Sequence, residues 1–138
     1  MSAETLVTVN IRSIAFGGAG VGEVTAQLDG RTDLLGITAF VPFTTAGEQI
    51  TARVVERKER HLQAELISVE SPAPARTTPQ CELFTQCGGC EFQHIDYQEQ
   101  LALKFEMIRG SLRAAKLPSA VIDMLSPLVP SADYGYRR

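Results

Sequence analysis

The chain has 138 residues, of which 44% are hydrophobic and 21% are charged, and its formal net charge is −3. This composition is that of an ordinary globular protein, and the negative charge argues against binding of nucleic acid by bulk electrostatics, because counterion release needs lysine and arginine near the phosphates. The sequence does not begin with the basic and apolar regions of a signal peptide. Its longest apolar-leaning run, at 34–43, is much shorter than the ~18 residues that a membrane-spanning helix needs. We therefore expect a cytoplasmic protein with no membrane partner.

Residues 5–70 alternate apolar and polar side chains in the manner of short β-strands. Val7, Val9 and Ile11 fall on one face of the first stretch, which is the period of a strand buried on one side. Such stretches lie at 5–11, 22–28, 37–43, 50–56 and 62–69. Five short strands with tight connections predict a mainly β fold, a small barrel at 1–70, because a sheet of this size removes its edges by closing on itself.

Two turn signals lie within this barrel region. Asp29-Gly30 predicts a tight hairpin, because both central residues of the favoured turn need positive φ. The stretch FGGAGVGE at 16–23 has the glycine content of a nucleotide-binding loop, but Glu23 stands where the third glycine belongs and a strand follows instead of a helix. We therefore interpret it as a glycine-rich loop or bulge that joins two strands.

The most basic stretch of the chain is RVVERKERH, at 53–61. It falls between two predicted strands and carries four basic side chains, Arg53, Arg57, Lys58 and Arg60, against two glutamates. A solvated hairpin tip and an RNA-facing edge both fit this pattern.

Residues 71–80, SPAPARTTPQ, contain three prolines and no bulky apolar side chain. Because X-Pro steps favour extended backbone, the stretch predicts a linker and a domain boundary. The cysteine segment, which we define as residues 81–95, follows it.

One amphipathic helix is predicted at 96–117. Asp96 is the expected N-cap, and Glu99 completes a capping box. An apolar stripe repeats at helical spacing until Pro118 and consists of Leu101, Phe105, Ile108 and Leu112. Residues 118–138 have the pattern of extended chain entering a strand and stop at Arg138 without a terminator, so we expect the sequence to be the front of a longer protein.

All three cysteines, Cys81, Cys87 and Cys90, lie in the cysteine segment with the spacing C-x5-C-x2-C. In the cytosol an odd number of thiols favours metal or redox chemistry over a structural disulfide. The Gly-Gly pair between Cys87 and Cys90 gives a Cys-x-x-Cys turn the freedom to bind one metal with two thiolates. Few bulky apolar side chains accompany the thiols, so little besides a metal is expected to fix the path of this segment.

Several kinds of thiol site remain open on spacing alone. His94 offers a fourth ligand for a Cys3His zinc site. A redox pair of Cys87 and Cys90 would need a βαβ context that the sequence lacks, and the spacing differs from the ferredoxin motifs.

The motif C-x5-C-G-G-C-x2-Q-H-x2-Y-x2-Q-L-x2-K, from Cys81 to Lys104, resembles the N-terminal part of the RNA (uracil-5-)-methyltransferases. Predicted strands and a proline-rich linker containing Arg76 precede it, and the closing YGYRR is similar to the start of the central domain in that family. Members are class I S-adenosylmethionine-dependent enzymes that modify uridine in ribosomal RNA or tRNA. The layout is similar to that of the members acting on 23S rRNA.

The resemblance implies a TRAM domain with an OB-like barrel at 1–70 and a 4Fe–4S cluster held by Cys81, Cys87 and Cys90. The fourth cysteine, the S-adenosylmethionine site and the catalytic residues would follow Arg138, with 118–138 as the start of the central domain. This chain is then the RNA-binding and cluster-binding front of an enzyme, expected to be monomeric, with no catalytic residue of its own.

The chemistry of the family requires a uridine to leave the RNA stack, and contacts elsewhere must offset that cost. An OB-like barrel supplies them by stacking bases on aromatic rings and by pairing basic side chains with phosphates. The candidates are Phe16 and Phe43 for stacking and Arg12, Arg53, Lys58 and Arg60 for phosphates, although core packing also explains either phenylalanine. Two other functions compete: a small zinc-stabilised nucleic-acid-binding module using the three cysteines and His94, and an electron carrier, which needs a complete ligand set.

Overall fold

The computed structural model describes residues 4–137 and divides between Ile95 and Asp96 into two compact units. The first unit contains all the strands, and the second contains the helices. The strands are β1 (Leu6–Ile14), β2 (Gly20–Gln27), β3 (Thr38–Val41), β4 (Gln49–Arg57) and β5 (His61–Ser71), and the helices are α1 (Tyr97–Ala114) and α2 (Ser119–Ile122). The predicted mainly β fold is confirmed. The predicted domain limits at 1–70, 71–80, 81–95, 96–117 and 118–138 stay predictions, since compactness does not show which parts fold independently.

The five strands form one sheet that closes on itself in the order β1-β2-β3-β5-β4. Every neighbouring pair is antiparallel except β3 and β5, which run parallel with Thr38 opposite His61. In β1, Val9 is paired with Val24 of β2 on one side and with Ile50 of β4 on the other. The predicted closure is therefore present, and it leaves no strand of this sheet with an open edge.

The barrel interior is filled by the apolar face of each strand. Val7, Val9 and Ile11 are all buried, as their alternation predicts. The other members of this core are Val24, Leu34, Ala39, Val41, Ile50, Ala52, Leu62 and Ala64. Small and branched aliphatic side chains fit a narrow barrel, because each strand contributes side chains to the same confined interior.

The tight two-residue turn predicted at Asp29-Gly30 is wrong, although β2 and β3 do pair as an antiparallel hairpin. Gly30 has φ 79°, but Asp29 is not among the described residues with positive φ, and the chain runs on to residue 38 before β3 begins. The Asp29 carboxylate instead accepts from the N–H of Arg31 at 2.9 Å. Leu34 enters the core in this longer connection, and its N–H donates to Gln27 Oε1 at 2.7 Å.

The glycine-rich stretch is a loop between β1 and β2, as interpreted from sequence. Gly17 and Gly18 have φ values of 101° and 102°, which L residues rarely adopt. The Ala15 N–H donates to the Ala19 carbonyl at 2.8 Å, closing the loop.

Helix α1 begins and ends with recognisable caps. The carboxylate of Asp96 accepts from the N–H of Gln98 at 2.7 Å, as expected of an N-cap. At the other end Lys116 has φ 61°, and the N–H groups of Lys116 and Leu117 donate to the carbonyls of Arg113 and Leu112, which is the Schellman pattern. The apolar stripe is partly buried at best, and no described helix is long and apolar enough to cross a membrane.

Candidate functional site

The proline-rich segment after β5 packs against one end of the barrel. Ala73 is buried, and the Arg76 N–H donates to its carbonyl at 3.0 Å. Arg76 forms an antiparallel bridge with Ile95, and the Thr77 N–H donates to the His94 carbonyl at 2.9 Å. The residues just before the cysteine segment and those at its end therefore lie side by side.

A buried ion pair joins this segment to the barrel. The Glu48 side chain is fully buried, and its carboxylate accepts from Arg76 Nε at 2.6 Å and Nη2 at 2.8 Å. It also accepts from the N–H of Thr45 at 2.7 Å and of Ala73 at 3.3 Å. Burial opposes ionisation of this carboxyl, but the hydrogen bonds and charge of Arg76, with the two N–H groups, keep the pKa of Glu48 below its ordinary value.

Glu48 is not among the residues predicted from the sequence, although the sequence contains a signal for it. Glu48 falls in the same alternating phase as Ile50 and Ala52, which face the core. A carboxylate in a buried phase needs a cation and hydrogen-bond donors, because an isolated buried charge is very costly. That signal says that a partner exists but not which residue it is.

His94 is a core residue of this end of the barrel. Its ring is 1% exposed, and Nε2 donates to the Thr44 carbonyl at 2.9 Å. The ring stacks on Phe84, with centroids 5.7 Å apart, and meets the edge of Phe43 at 6.3 Å. Burial is the main cause that lowers the pKa of His94, while Nδ1 is buried with no hydrogen-bond partner in the described part of the chain. The environment favours a neutral, structural imidazole.

The three thiols lie on the surface. Cys81, Cys87 and Cys90 are free and exposed, and residues 4–137 contain no group of three side chains gathered to hold a metal ion. The Cys3His zinc interpretation requires His94 beside these thiols, and the structure does not place it there. The donor set fits an iron–sulfur cluster in kind, since thiolates are the ligands of such clusters and the Cys87–Cys90 turn contains two glycines.

A cleft of about 320 Å³ lies between the cysteine segment and the glycine-rich loop, and both contribute lining residues. Cys87 and Cys90 both line it, whereas Cys81 does not. A side chain at Gly18 would place its Cβ 3.0 Å from Glu91 Oε2, so glycine permits the close approach of the two loops. The other lining residues are Gly17, Ala19, Pro42, Phe43, Thr85, Gln86 and Gly88.

The six candidate RNA-contacting residues lie at two ends of the barrel. Because β1 pairs antiparallel with β4, with Asn10 opposite Gln49 and Leu6 opposite Arg53, the end of β1 lies far from the β4–β5 turn. Phe16, Phe43 and Arg12 belong to the end near the cysteine segment, and Arg53, Lys58 and Arg60 belong to the other half. The structure does not bring the six together.

Their exposure and partners also differ. Phe16 is 87% exposed, whereas Phe43 packs edge-on against Phe84 with centroids 5.1 Å apart. Arg12 pairs with Glu23 at 3.1 Å, Arg53 pairs with Glu4 and Glu65, and Lys58 lies 3.7 Å from Glu56. Exposed pairs of this kind contribute little to stability and open readily, so the basic groups stay accessible.

Comparison with known proteins gives a consistent set of relatives. A protein of Protochlamydia amoebophila named as an RNA methyltransferase is 33% identical over the whole chain, which spans 29% of that relative. The 23S rRNA (uracil(1939)-C(5))-methyltransferase of Vibrio vulnificus is 39% identical over 72% of the chain and 22% of the relative. An RNA methyltransferase of Synechocystis is 31% identical over 96% of the chain and 26% of the relative. No protein-family profile matches the chain.

Proposed function

The chain belongs to the RNA methyltransferase family and matches the N-terminal part of members at least three times its length. From this premise we propose that it is the part of an S-adenosylmethionine-dependent RNA (uracil-5-)-methyltransferase that binds RNA and an iron–sulfur cluster. The proposed substrate is uridine in 23S rRNA or tRNA. The additional length of the relatives leaves room for the domain that binds S-adenosylmethionine. We propose a cytoplasmic, monomeric protein.

The observation that carries the proposal is the thiol motif in its structural setting. Cys81, Cys87 and Cys90 are accessible, two of them line one cleft, and both flanks of their segment pack on the barrel. We propose these three thiolates as ligands of a 4Fe–4S cluster whose fourth ligand comes from outside this sequence. When bound, the cluster would connect the thiol-bearing turns through iron–sulfur bonds.

The barrel supplies the proposed RNA contacts, as a TRAM domain does. Drawing a base out of the RNA stack costs a few kcal/mol, and stacking of a second base on an aromatic ring offsets about 1 to 3 kcal/mol. Phe16 is the best candidate because its ring is exposed, whereas the packing of Phe43 against Phe84 favours a core role. Arg12, Arg53, Lys58 and Arg60 are the proposed phosphate contacts.

The zinc-stabilised module is the weaker proposal. It needs His94 as a ligand, but Nε2 already donates to the Thr44 carbonyl and the ring is enclosed by Phe84 and Phe43. Zinc binding through Nδ1 would require the ring to leave this packing.

Anaerobic reconstitution of the 138-residue protein with iron and sulfide tests the proposal. We expect iron and sulfide to bind in nearly equal amounts, with ready loss in air because one iron lacks a protein thiolate. Cys87→Ser and Cys90→Ser should each abolish uptake, and Ser111→Ala, a hydroxyl variant in α1, should not. Stoichiometric zinc that is lost in His94→Ala would contradict the cluster and support the zinc module.

A further inference from the structure

We propose that Arg76 and His94 are positioning residues that hold the cysteine segment on the barrel through contacts in which no thiol takes part. The inference rests on the proposed cluster, because it concerns how the ligands of that cluster are presented. It differs from the expectation that little besides a metal fixes the path of this segment.

The two flanks of the segment bind the same short connection of the barrel, residues 42–48 between β3 and β4. On the N-terminal side, the Arg76 guanidinium contacts Glu48 and donates from Nη2 to the Phe43 carbonyl at 2.8 Å. On the C-terminal side, His94 donates to the Thr44 carbonyl. The flanks also bind each other, since Thr77 donates to the His94 carbonyl. The cysteine segment therefore leaves the barrel and returns to it at the same connection between β3 and β4.

The connection between β3 and β4 has an unusual backbone that these contacts support. Phe43 has φ 66°, a left-handed conformation that is costly for a bulky residue and persists only where its surroundings impose it. Its carbonyl accepts from Arg76, and its ring contacts Phe84 and His94. The cysteine segment and the connection therefore stabilise each other.

Inside the segment, Phe84 lies between Cys81 and Cys87 in the sequence and anchors this part of the chain to the barrel end. It is 8% exposed and packs against the rings of Phe43 and His94. The next turn is closed by the Cys87 N–H, which donates to the Leu83 carbonyl at 2.8 Å. These contacts use rings, backbone groups and the Arg76 guanidinium, so none of them depends on what the sulfurs bind.

Such contacts matter for a metal site because ordering of a loop opposes metal binding. A loop whose ends and one aromatic side chain are already held loses less conformational freedom when its thiolates are drawn together. Loss of Arg76 or His94 should then speed the release of the cluster. A purely structural role in the barrel would lower the melting temperature without this selective effect.

The test uses the full 138-residue chain and the variants Arg76→Ala, Arg76→Lys and His94→Ala. Arg57→Ala is the matched control, since Arg57 forms an exposed ion pair with Asp33 on the other side of the barrel. Two quantities are measured: hydrogen–deuterium exchange at the amides of Thr77 and Cys87 in metal-free protein, and the rate of iron loss to a chelator after anaerobic reconstitution. Thermal unfolding is recorded for each variant.

We expect Arg76→Ala to raise both rates at least about tenfold, because it leaves the buried Glu48 carboxylate without its cation, and His94→Ala to raise them about three- to tenfold through loss of a buried neutral hydrogen bond. Arg76→Lys should recover part of the loss, and Arg57→Ala should leave both rates unchanged. If Arg76→Ala does not fold, His94→Ala decides, because its ring is outside the strand ladder. Exchange and iron loss that are unchanged in a folded His94→Ala variant would overturn the proposal.

The failure of the cluster and the failure of this inference give different results. If the unaltered protein takes up no iron, the proposed function fails, while faster exchange at Thr77 in His94→Ala would still support the positioning role. If iron binds and leaves His94→Ala as slowly as the unaltered protein, the positioning role fails and the cluster stands.

Discussion

The barrel and the cysteine segment belong to one compact unit but are held in different ways. The barrel interior is a continuous set of aliphatic side chains contributed by all five strands and the β2–β3 connection. The cysteine segment contributes only Phe84, His94 and Ile95 as buried side chains, and polar contacts through Arg76 and His94 join it to the barrel. The close packing of the barrel leaves no room for an added atom, whereas the cysteine segment has open space around it and depends on a few polar contacts.

The largest expected effect comes from the same substitution made in each region. Gly22→Ala in β2 would place a Cβ 2.0 Å from the Asn10 backbone oxygen, while Gly88→Ala in the cysteine segment meets nothing within 4 Å. We expect Gly22→Ala to cost at least about 3 kcal/mol, because strands β1 and β2 must separate, and Gly88→Ala to cost under about 0.5 kcal/mol. Urea unfolding followed by circular dichroism measures both. Equal midpoints would mean that the two regions do not differ in packing.

An effect of intermediate size is expected on stability when the pH is lowered. The pKa of His94 lies below its ordinary value of 6.5 and that of Glu48 below 4.5, so both groups contribute stability at neutral pH. The contribution of His94 is lost as pH falls from 6.5 towards its folded pKa, and that of Glu48 is lost only below 4.5. Arg76 and Glu48 are the charges that act on His94, and their effects oppose each other.

Thermal unfolding at pH values of about 7.5, 5.5 and 3 should therefore show two steps of lost stability. We expect His94→Ala to remove the upper step and to retain the lower one. A shift of about 4 °C in the melting temperature corresponds to roughly 1 kcal/mol for a domain of this size. If the upper step persists in His94→Ala, a group other than His94 causes it.

The smallest effect on stability is expected at the exposed tip of the glycine-rich loop. Phe16→Ala removes a ring that is 87% exposed, so the unfolding free energy should change by less than about 0.5 kcal/mol. Affinity for a single-stranded uridine-rich RNA should nevertheless fall by about 1 to 3 kcal/mol if a base stacks there. Leu28→Ala, which removes an exposed side chain from the other end of the barrel, is the control for fluorescence anisotropy. Equal affinity of the unaltered protein, Phe16→Ala and Leu28→Ala would show that Phe16 does not contact the RNA.

The sequence was informative where structure follows from local periodicity. Val7, Val9 and Ile11 alternate with polar residues, and this was enough to place β1 and its buried face. Asp96 marked the start of α1 because an N-cap needs only a short polar side chain before a helical pattern. Asp29-Gly30 misled because the core takes up Leu34 from the connection, which requires a longer path than a two-residue turn.

The arrangement at the candidate site could not be read in the same way. Glu48 and Arg76 are 28 positions apart, and no local pattern connects a carboxylate before one strand with a guanidinium after another. His94 was considered as a metal ligand, but its partner is the backbone carbonyl of Thr44, and backbone acceptors leave no trace in side-chain identity. Contacts of this kind can be identified only from the folded barrel, because the fold brings residues that are distant in sequence into contact.

The parallel pairing of β3 with β5 has a consequence for the order of folding. β1, β2 and β3 can pair as neighbours soon after synthesis, and β4 can join β1, but the ring closes only when β5 lies between β4 and β3. β4 and β5 form a local hairpin, but the β1–β4 and β3–β5 pairings join distant parts of the chain. Closure is therefore expected to be the slow step, and the earlier strands expose two unpaired edges until it occurs. All five strands lie within the first 71 residues. On the ribosome the ring can therefore close before the helices emerge, which shortens the time during which its edges are open to aggregation.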